Sequence, residues 1–293
     1  MCEYALEVQN LTKNFGSFAL RNVSFKLPVG YIMGFVGRNG AGKSTTIKSI
    51  MRIITPDGGS IKVFGEDMAE NEVKLKKTIA YSSGTFDSFP SVEADKLAKT
   101  YATFYDDFDF GRYEELKKRF DLDGRKKLKS LSAGMRVKFS VALALSHEAK
   151  LFIFDEPTSG LDPVARDEML DLFQEIVSDG DKSVLFSTHI TSDLDKCADY
   201  LTIIDGGKIY VSGVKDEIIS SHAVIGGGDL TDEIKRVAIG YKQTSLGFTA
   251  LVKKSDLPKD GIEYSAPPDI EQMLLYVSKG SREKGGYKNE NGN

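Results

Sequence analysis

The 293-residue chain is long enough for one large domain or for a domain with an appendage. Its 39 basic and 43 acidic residues give a net charge of −4, which argues against nucleic acid as a main partner. Cys2 and Cys197 have neither metal-ligand nor disulfide-framework spacing, so we expect a reducing compartment. We expect neither a signal peptide nor a membrane span, since no apolar run approaches the ~20 residues that cross a bilayer. We therefore expect a cytoplasmic protein that reaches a membrane only through a partner.

Alternating apolar residues predict two strands near the start of the chain, over 4–8 and 20–27. Phe15 lies between them, where its ring could either stack on a purine base or pack in the core. Both interpretations stay open on the pattern alone. A turn over 28–30 then leads to an apolar strand over 31–36.

A glycine-rich segment follows this strand and precedes a helix predicted over 46–51. It reads Gly37-Arg38-Asn39-Gly40-Ala41-Gly42-Lys43-Ser44 and fits the phosphate-binding pattern Gly, four residues, Gly-Lys-Ser/Thr. In this context the loop N–H groups and the helix dipole hold a polyphosphate. We expect Lys43 to reach the β and γ phosphates, Ser44 to hold Mg²⁺, and Thr45 to lie near the α phosphate. The alternative is an ordinary glycine-rich turn between a strand and a helix, but it does not account for a complete match to the phosphate-binding pattern.

The middle of the chain is predicted to be mainly helical after strands over 60–65 and 78–82. The segment from 92 to about 122 is rich in aromatic residues, most of which we expect in the core of a helical subdomain. Such a cluster also leaves room for an apolar patch that binds another protein. The aromatic residues are Tyr101, Phe104, Tyr105, Phe108, Phe110 and Tyr113.

Ser132 begins a second short motif, Ser132-Ala133-Gly134, ahead of a helix predicted to reach about 146. Ser132 suits a helix N-cap, and a helix N-terminus preceded by small residues also suits an anion. The structural and functional interpretations are compatible here.

An apolar strand over 151–154 ends in two carboxylates, Asp155 and Glu156. The carboxyl end of a buried parallel strand lies at the sheet edge where α/β proteins bind ligands. We therefore predict that Asp155 belongs to the Mg²⁺ shell and that Glu156 polarises a water aimed at the γ phosphate. A solvated acidic turn is the alternative. Pro163 is then predicted to start a helix that reaches about Val177.

A strand over 183–188 ends at His189, one of three histidines in the chain. A lone histidine is more often structural, but this one ends a core strand where a γ-phosphate sensor would lie. A glycine turn predicts a hairpin over 200–211. Beyond 220 we predict strands over 236–239 and 248–252 and a helix over 270–277. The polar residues 281–293 are predicted to be disordered. The sequence does not indicate the role of this extension.

Over about Tyr4 to Ser220 the chain resembles the ATP-binding subunits of ABC transporters. The motifs stand in family order: the Walker A loop, the signature segment from Ser132, the Walker B strand with Glu156, the D-loop Ser159-Gly160-Leu161-Asp162, and the switch histidine His189. The resemblance implies an α/β P-loop NTPase fold of ABC ATPase type. It divides the chain into a nucleotide-binding domain (1–220) with an antiparallel β subdomain and a helical subdomain (about 85–148), and a small α+β appendage (221–280).

The resemblance also implies a site and a mechanism. Lys43, Glu156 and His189 are the implied catalytic residues, and Ser44 and Asp155 the implied Mg²⁺ ligands. The implied ATP-binding residues are Phe15 (stacked on adenine), Gly37, Asn39, Gly40, Ala41, Gly42, Lys43, Ser44, Thr45, Ser132, Gly134 and Asp162. Ser132 and Gly134 cap the γ phosphate of the opposite subunit, so two subunits, identical or different, close head to tail around two ATP. The resemblance implies that they drive a separate ABC-2-type permease from the cytoplasmic face. The chain is similar to ATPases that partner such permeases, including those of exporters of amphipathic peptides such as phenol-soluble modulins.

Three departures from the family pattern stand out. Ala133 and Met135 replace the usual Gly and Gln of the signature, and Arg38, expected to be exposed and of little consequence, replaces a common Pro. Gly84 aligns with a Gln that ligates Mg²⁺ and senses the permease. The alternative function is a soluble ABC ATPase acting on ribosomes, DNA or cofactor assembly. Such translation factors usually carry two ATPase cores and DNA-repair members carry long coiled coils, whereas this sequence has one core and no such insertion.

Overall fold

The computed structural model describes residues 3–83, 89–258 and 260–284. Its N-terminal layer is a four-stranded antiparallel sheet in the order β2-β1-β4-β5. The strands are β1 (Tyr4–Asn14), β2 (Ala19–Pro28), β4 (Gly58–Val63) and β5 (Glu66–Asp67). Alternate apolar residues such as Leu6, Val8 and Phe25 are buried in one core cluster, as the period of two predicts.

A six-stranded sheet in the order β10-β9-β3-β8-β7-β6 forms the centre of the molecule. Its strands are β3 (Ile32–Val36), β6 (Ile79–Ser82), β7 (Leu151–Asp155), β8 (Ser183–Thr188), β9 (Tyr200–Asp205) and β10 (Lys208–Val214). All neighbours pair in parallel except the hairpin β9–β10. Val36 pairs with Thr188, and Asp155 pairs with Ser187, so three central strands end at one edge of the sheet. That edge carries the predicted site.

Helices cover this sheet and form the predicted helical subdomain. Those of the core are α1 (Lys43–Ile50), α2 (Glu72–Lys77), α6 (Pro163–Val177), α7 (Thr191–Cys197) and α8 (Lys215–Ser220), and those of the subdomain are α3 (Ala94–Ala102), α4 (Phe110–Arg119) and α5 (Ala133–Ala144). In the aromatic cluster, Tyr113 is buried and its hydroxyl donates to Asp95, but Phe104 and Phe110 are exposed. The cluster therefore supplies both core and surface.

The C-terminal extension adds a four-stranded antiparallel sheet in the order β12-β13-β11-β14. Its elements are β11 (His222–Gly227), α9 (Asp232–Val237), β12 (Gly240–Thr244), β13 (Gly247–Lys253), β14 (Tyr264–Ala266) and α10 (Ile270–Lys284). The strand predicted over 248–252 is confirmed as β13, but the one predicted over 236–239 is wrong, because Thr231 caps α9 through its hydroxyl. The last helix also runs past 281, the predicted start of the tail. Within the described part of the chain, no helix is long and apolar enough to cross a membrane.

Candidate active site

The predicted phosphate loop, residues 37–42, connects β3 to α1. Geometry requires glycine at two positions: a Cβ on Gly37 would lie 2.3 Å from the Ile204 carbonyl oxygen, and Gly42 has a φ of +114°. The Ala41 N–H donates to the Arg38 carbonyl at 3.0 Å and closes the turn. Helix α1 follows at once, so its unpaired N–H groups adjoin the loop. Asn39 and Gly40 are exposed at the tip, and Ser44 and Thr45 are half-buried in the first helical turn.

The Lys43 ammonium lies inside this loop, and its side chain is only 6% exposed. Its Nζ donates to the Gly37 carbonyl at 2.7 Å and contacts that of Arg38 at 3.4 Å. It also lies 3.1 Å from Oε1 of Glu156. Phosphate oxygens that enter the loop would compete with these three oxygens for the ammonium protons.

The two carboxylates at the end of β7, Asp155 and Glu156, are positioned by one serine of the neighbouring strand. The Ser187 hydroxyl donates to Oδ1 of Asp155 at 2.6 Å and accepts from the N–H of Glu156 at 3.0 Å. Glu156 itself has a φ of +55°, a left-handed conformation that costs energy in a residue with a side chain. Sequence reasoning missed Ser187, although a hydroxyl residue at the end of an apolar strand is a visible signal.

His189 contacts the same glutamate from the other side. Its Nδ1 lies 2.7 Å from Oε2 of Glu156, and its side chain is 44% exposed. The turn that carries it is held by the fully buried Asp193, which accepts hydrogen bonds from the hydroxyls of Thr158 and Thr188 at 2.7 and 3.3 Å. The structure thus joins Lys43, Glu156 and His189 in one chain of contacts.

The predicted metal ligands are compatible with Mg²⁺ by their chemistry. Ser44 and Asp155 offer a hydroxyl and a carboxylate, oxygen donors of the kind Mg²⁺ prefers, and α1 packs against β7. Among residues 3–83, 89–258 and 260–284, no group of three or more His, Cys, Asp or Glu could hold a metal by itself. Burial and the nearby Asp155 carboxylate raise the pKa of Tyr81. This donor set fits a cation that takes its other ligands from phosphate and water. Gly84 lies outside the described residues.

Phe15 does not pack in the core, since it is 49% exposed. The Lys13 ammonium lies 5.8 Å from the centre of its ring, within the range of a cation–π contact. The Phe15 N–H donates to the Phe18 carbonyl, and the Phe18 ring would lie 3.1 Å from a Cβ on Gly42. Phe18, which sequence reasoning missed, therefore attaches the Phe15 turn to the phosphate loop.

The signature segment lies beside the D-loop of the same chain. Ser132 is exposed and caps α5, with its hydroxyl accepting from the Met135 N–H at 3.2 Å. A Cβ on Gly134 would lie 3.1 Å from the Leu161 side chain, so the two segments are in contact. The N-cap interpretation of Ser132 is confirmed, and it leaves the residue at the surface.

Asp162 at the end of the D-loop has a clear structural role. Its carboxylate accepts hydrogen bonds from the N–H groups of Ala165 and Val164, both at 3.0 Å, and so caps α6. These bonds, with that from Ala165 foremost, lower the pKa of Asp162.

A parallel sheet whose strand β3 runs through a glycine loop into a helix, with a carboxylate pair ending a nearby strand, defines a P-loop nucleotide-binding fold. The protein family described as ABC transporter matches residues 20–159. The bacitracin transport ATP-binding protein BcrA of Bacillus licheniformis is 32% identical over 211 residues, 70% of this chain and 68% of that protein. The chain therefore belongs to the ATP-binding subunits of ABC transporters, and the predicted fold class is confirmed.

Two further similarities define the extent of the match. The probable multidrug ABC transporter ATP-binding protein YbhF of Escherichia coli is 30% identical over 227 residues. Those residues are 75% of this chain but only 39% of that protein, so the chain spans well under half of its length. A solved ATP-binding subunit of an ABC transporter superimposes with a TM-score of 0.66 at 28% identity, over 74% of this chain and 92% of that one.

Proposed function

We propose that this chain hydrolyses Mg²⁺-ATP, closes head to tail with a second subunit around two ATP, and drives a separate ABC-2-type exporter permease. The observation that carries the proposal is the contact chain Lys43–Glu156–His189 beside the phosphate loop. In it a phosphate-binding cation, a general base and a histidine adjoin one another at the ligand-binding edge of the sheet.

The same contacts suggest how the residues act. The loop N–H groups and Lys43 bind the phosphates, and Phe15 stacks on the adenine through its exposed ring. When Lys43 turns to the phosphates, Glu156 loses a partner and is released to accept a proton from the attacking water. His189 keeps the other oxygen of Glu156 oriented. Ser44 and Asp155 would hold Mg²⁺, which neutralises phosphate charge when it is bound.

The proposed dimer uses the surface formed by the signature segment and the D-loop. Ser132 is exposed there, and Gly134 lies against Leu161. In a head-to-tail pair this surface would face the phosphate loop of the other subunit, and the loop tip at Asn39 and Gly40 is exposed to receive it. We propose that the permease holds such a pair on the cytoplasmic face of the membrane.

Phosphate release from ATP tests the catalytic part of the proposal. The variants Lys43→Ala and Glu156→Gln should each lower turnover by about 10²-fold or more, because each removes a group from the contact chain. Lys48→Ala, on the same helix as Lys43, and Glu148→Gln, an exposed glutamate before β7, are the matched controls. Turnover in the two site variants equal to that of the controls would overturn the assignment.

Light scattering with Mg²⁺-ATP tests the dimer. The Glu156→Gln variant, which should hydrolyse ATP slowly, should form a dimer. Adding Gly134→Asp should return it to a monomer, because the new carboxylate would repel the γ phosphate bound by the other subunit. Co-expression with the membrane protein of an adjacent gene, followed by detergent purification, tests the permease. Separation of the two proteins during purification would argue for the soluble alternative.

A further inference from the structure

The phosphate loop is bonded to the far end of the chain through Arg38. The Nη1 of Arg38 donates to Oγ of Ser278 at 2.8 Å, and Ser278 is 6% exposed on α10. A hydrogen bond from a charged donor to a buried hydroxyl is among the stronger ones in proteins. The residue that replaces the common Pro is exposed, as predicted, but its guanidinium has a buried hydrogen-bond partner.

Helix α10 is a fixed support for this bond because it contacts the backbone of the extension closely. A Cβ on Gly280 would lie 1.7 Å from the Ile239 carbonyl oxygen, and a Cβ on Gly240 would lie 2.0 Å from the Tyr276 carbonyl oxygen. The Tyr276 hydroxyl also donates to Thr249 at 2.6 Å. Ser278 lies between these contacts, so its position is well determined.

The same helix belongs to the core of the nucleotide-binding part. Met273 and Tyr276 of α10 share one apolar cluster with Leu194 of α7 and Leu201 of β9. The extension is therefore anchored to the sheet by apolar burial, which makes α10 a stable reference point for the loop.

Arg38 transmits that anchorage to the phosphate-binding atoms through its own backbone. Its carbonyl accepts from the Ala41 N–H at 3.0 Å and contacts the Lys43 ammonium at 3.4 Å. A cavity of about 920 Å³, lined by Arg38, Tyr210 and Ser278 among others, lies between loop and extension. The cavity separates much of the phosphate loop from the C-terminal extension, and the Arg38 side chain bridges the two through its hydrogen bond to Ser278.

We propose that α10 holds the phosphate loop in its nucleotide-binding shape through the Arg38–Ser278 hydrogen bond, which makes both residues positioning residues. This inference rests on the proposed function, because it concerns binding at the same loop. Preorganisation lowers the cost of binding, so loss of the bond should weaken nucleotide affinity and leave the chemical step largely intact.

The test is a double-mutant cycle with Arg38→Ala, Ser278→Ala and the combination, measured by calorimetry with ATP and with ADP. Each single variant should weaken binding of both nucleotides by about 3- to 10-fold, and the double variant should be no weaker than either single one. KM for ATP should rise by a similar factor at nearly constant kcat. Hydrogen exchange of the amides at 37–45 should become faster in all three.

Two control variants use exposed residues whose side chains hydrogen-bond to a carbonyl of their own helix: Arg236→Ala on α9 and Ser220→Ala on α8. Wild-type affinities in Arg38→Ala and Ser278→Ala, or additive losses in the double variant, would overturn the inference while nucleotide binding itself stands. Wild-type protein that binds no nucleotide would instead overturn the proposed function. A thermal unfolding midpoint equal to that of the controls shows that the variants are folded.

Discussion

Oε1 of Glu156 lies 3.1 Å from Nζ of Lys43, although Lys43 begins helix α1 and Glu156 follows strand β7. The predicted general base is thus an ion-pair partner of the predicted phosphate-binding cation, and its second oxygen is bonded to His189. We therefore predict that phosphate binding releases the base, because the same ammonium would then contact phosphate in place of Glu156.

Replacing Glu156 by Gln should separate binding from hydrolysis. The neutral amide can accept only a weaker hydrogen bond from the ammonium, so Lys43 is more available to the phosphates and ATP should bind at least as tightly as to wild type. Turnover should fall by roughly 10²–10⁴-fold, since the general base is lost. Calorimetry and phosphate release measure the two effects. Weaker ATP binding in this variant would contradict the competition between Glu156 and phosphate.

Replacing Ser187 by Ala should impair catalysis through the two carboxylates that it positions. The variant loses the hydrogen bonds to Asp155 and to the Glu156 N–H, and we expect kcat to fall by about 10-fold. Ser183→Ala removes a buried hydroxyl at the opposite end of the same strand and is the control. Equal turnover in the two variants would show that Ser187 serves only the stability of the strand.

Replacing Phe15 by Ala should weaken ATP and ADP binding by similar factors, because stacking on the base does not depend on the phosphates. A lost stacking contact predicts at least a fivefold weaker affinity, as an order of magnitude. Phe104→Ala, which removes an exposed ring from the helical subdomain, is the control. Calorimetry measures the affinities for ATP and ADP. Unchanged affinities in Phe15→Ala would show that the Phe15 ring does not stack on the base.

His147 should make the fold sensitive to mild acid. Burial lowers its pKa to about 4, against the weaker opposite effect of Asp107, and Tyr105 stacks on its ring at 3.9 Å. Between about pH 6.5 and 4 the unfolded chain binds a proton that the folded chain does not, so the free energy of unfolding falls as the pH falls. The loss from this group is up to about 3 kcal/mol.

Urea unfolding at pH 7 and pH 4.5 checks this prediction. His147→Phe keeps a ring against Tyr105 but has no proton to bind, so it should lose less stability than wild type on acidification. Equal losses in wild type and His147→Phe would assign the acid sensitivity to other groups.

The parts predicted correctly are those in which the signal is local in the chain. The phosphate-loop motif spans only the eight residues 37–44, and four consecutive apolar residues before Asp155 predict a buried strand. The strand predicted over 236–239 failed because a short apolar run also fits the end of a helix, and the Thr231 cap decides between them. Propensity alone does not resolve such short segments.

Long-range contacts could not be predicted, because no local pattern encodes them. Nothing near Arg38 indicates that its partner is Ser278, and nothing near Glu156 indicates that Lys43 neutralises it. For Ser132 the local sequence was sufficient to predict the cap of helix α5. That Ser132 is exposed beside the D-loop depends on the tertiary structure and was not predictable in the same way.

The apolar cluster shared by α10 and the core also bears on how this protein folds. A polypeptide cleaved after Ser220 would lose Met273 and Tyr276, and the faces of Leu194 and Leu201 beneath them would meet water. Such a fragment should aggregate or remain partly unfolded rather than behave as a smaller version of the protein. We therefore predict that the boundary at 220, which the sequence pattern indicates, does not separate two units that fold independently.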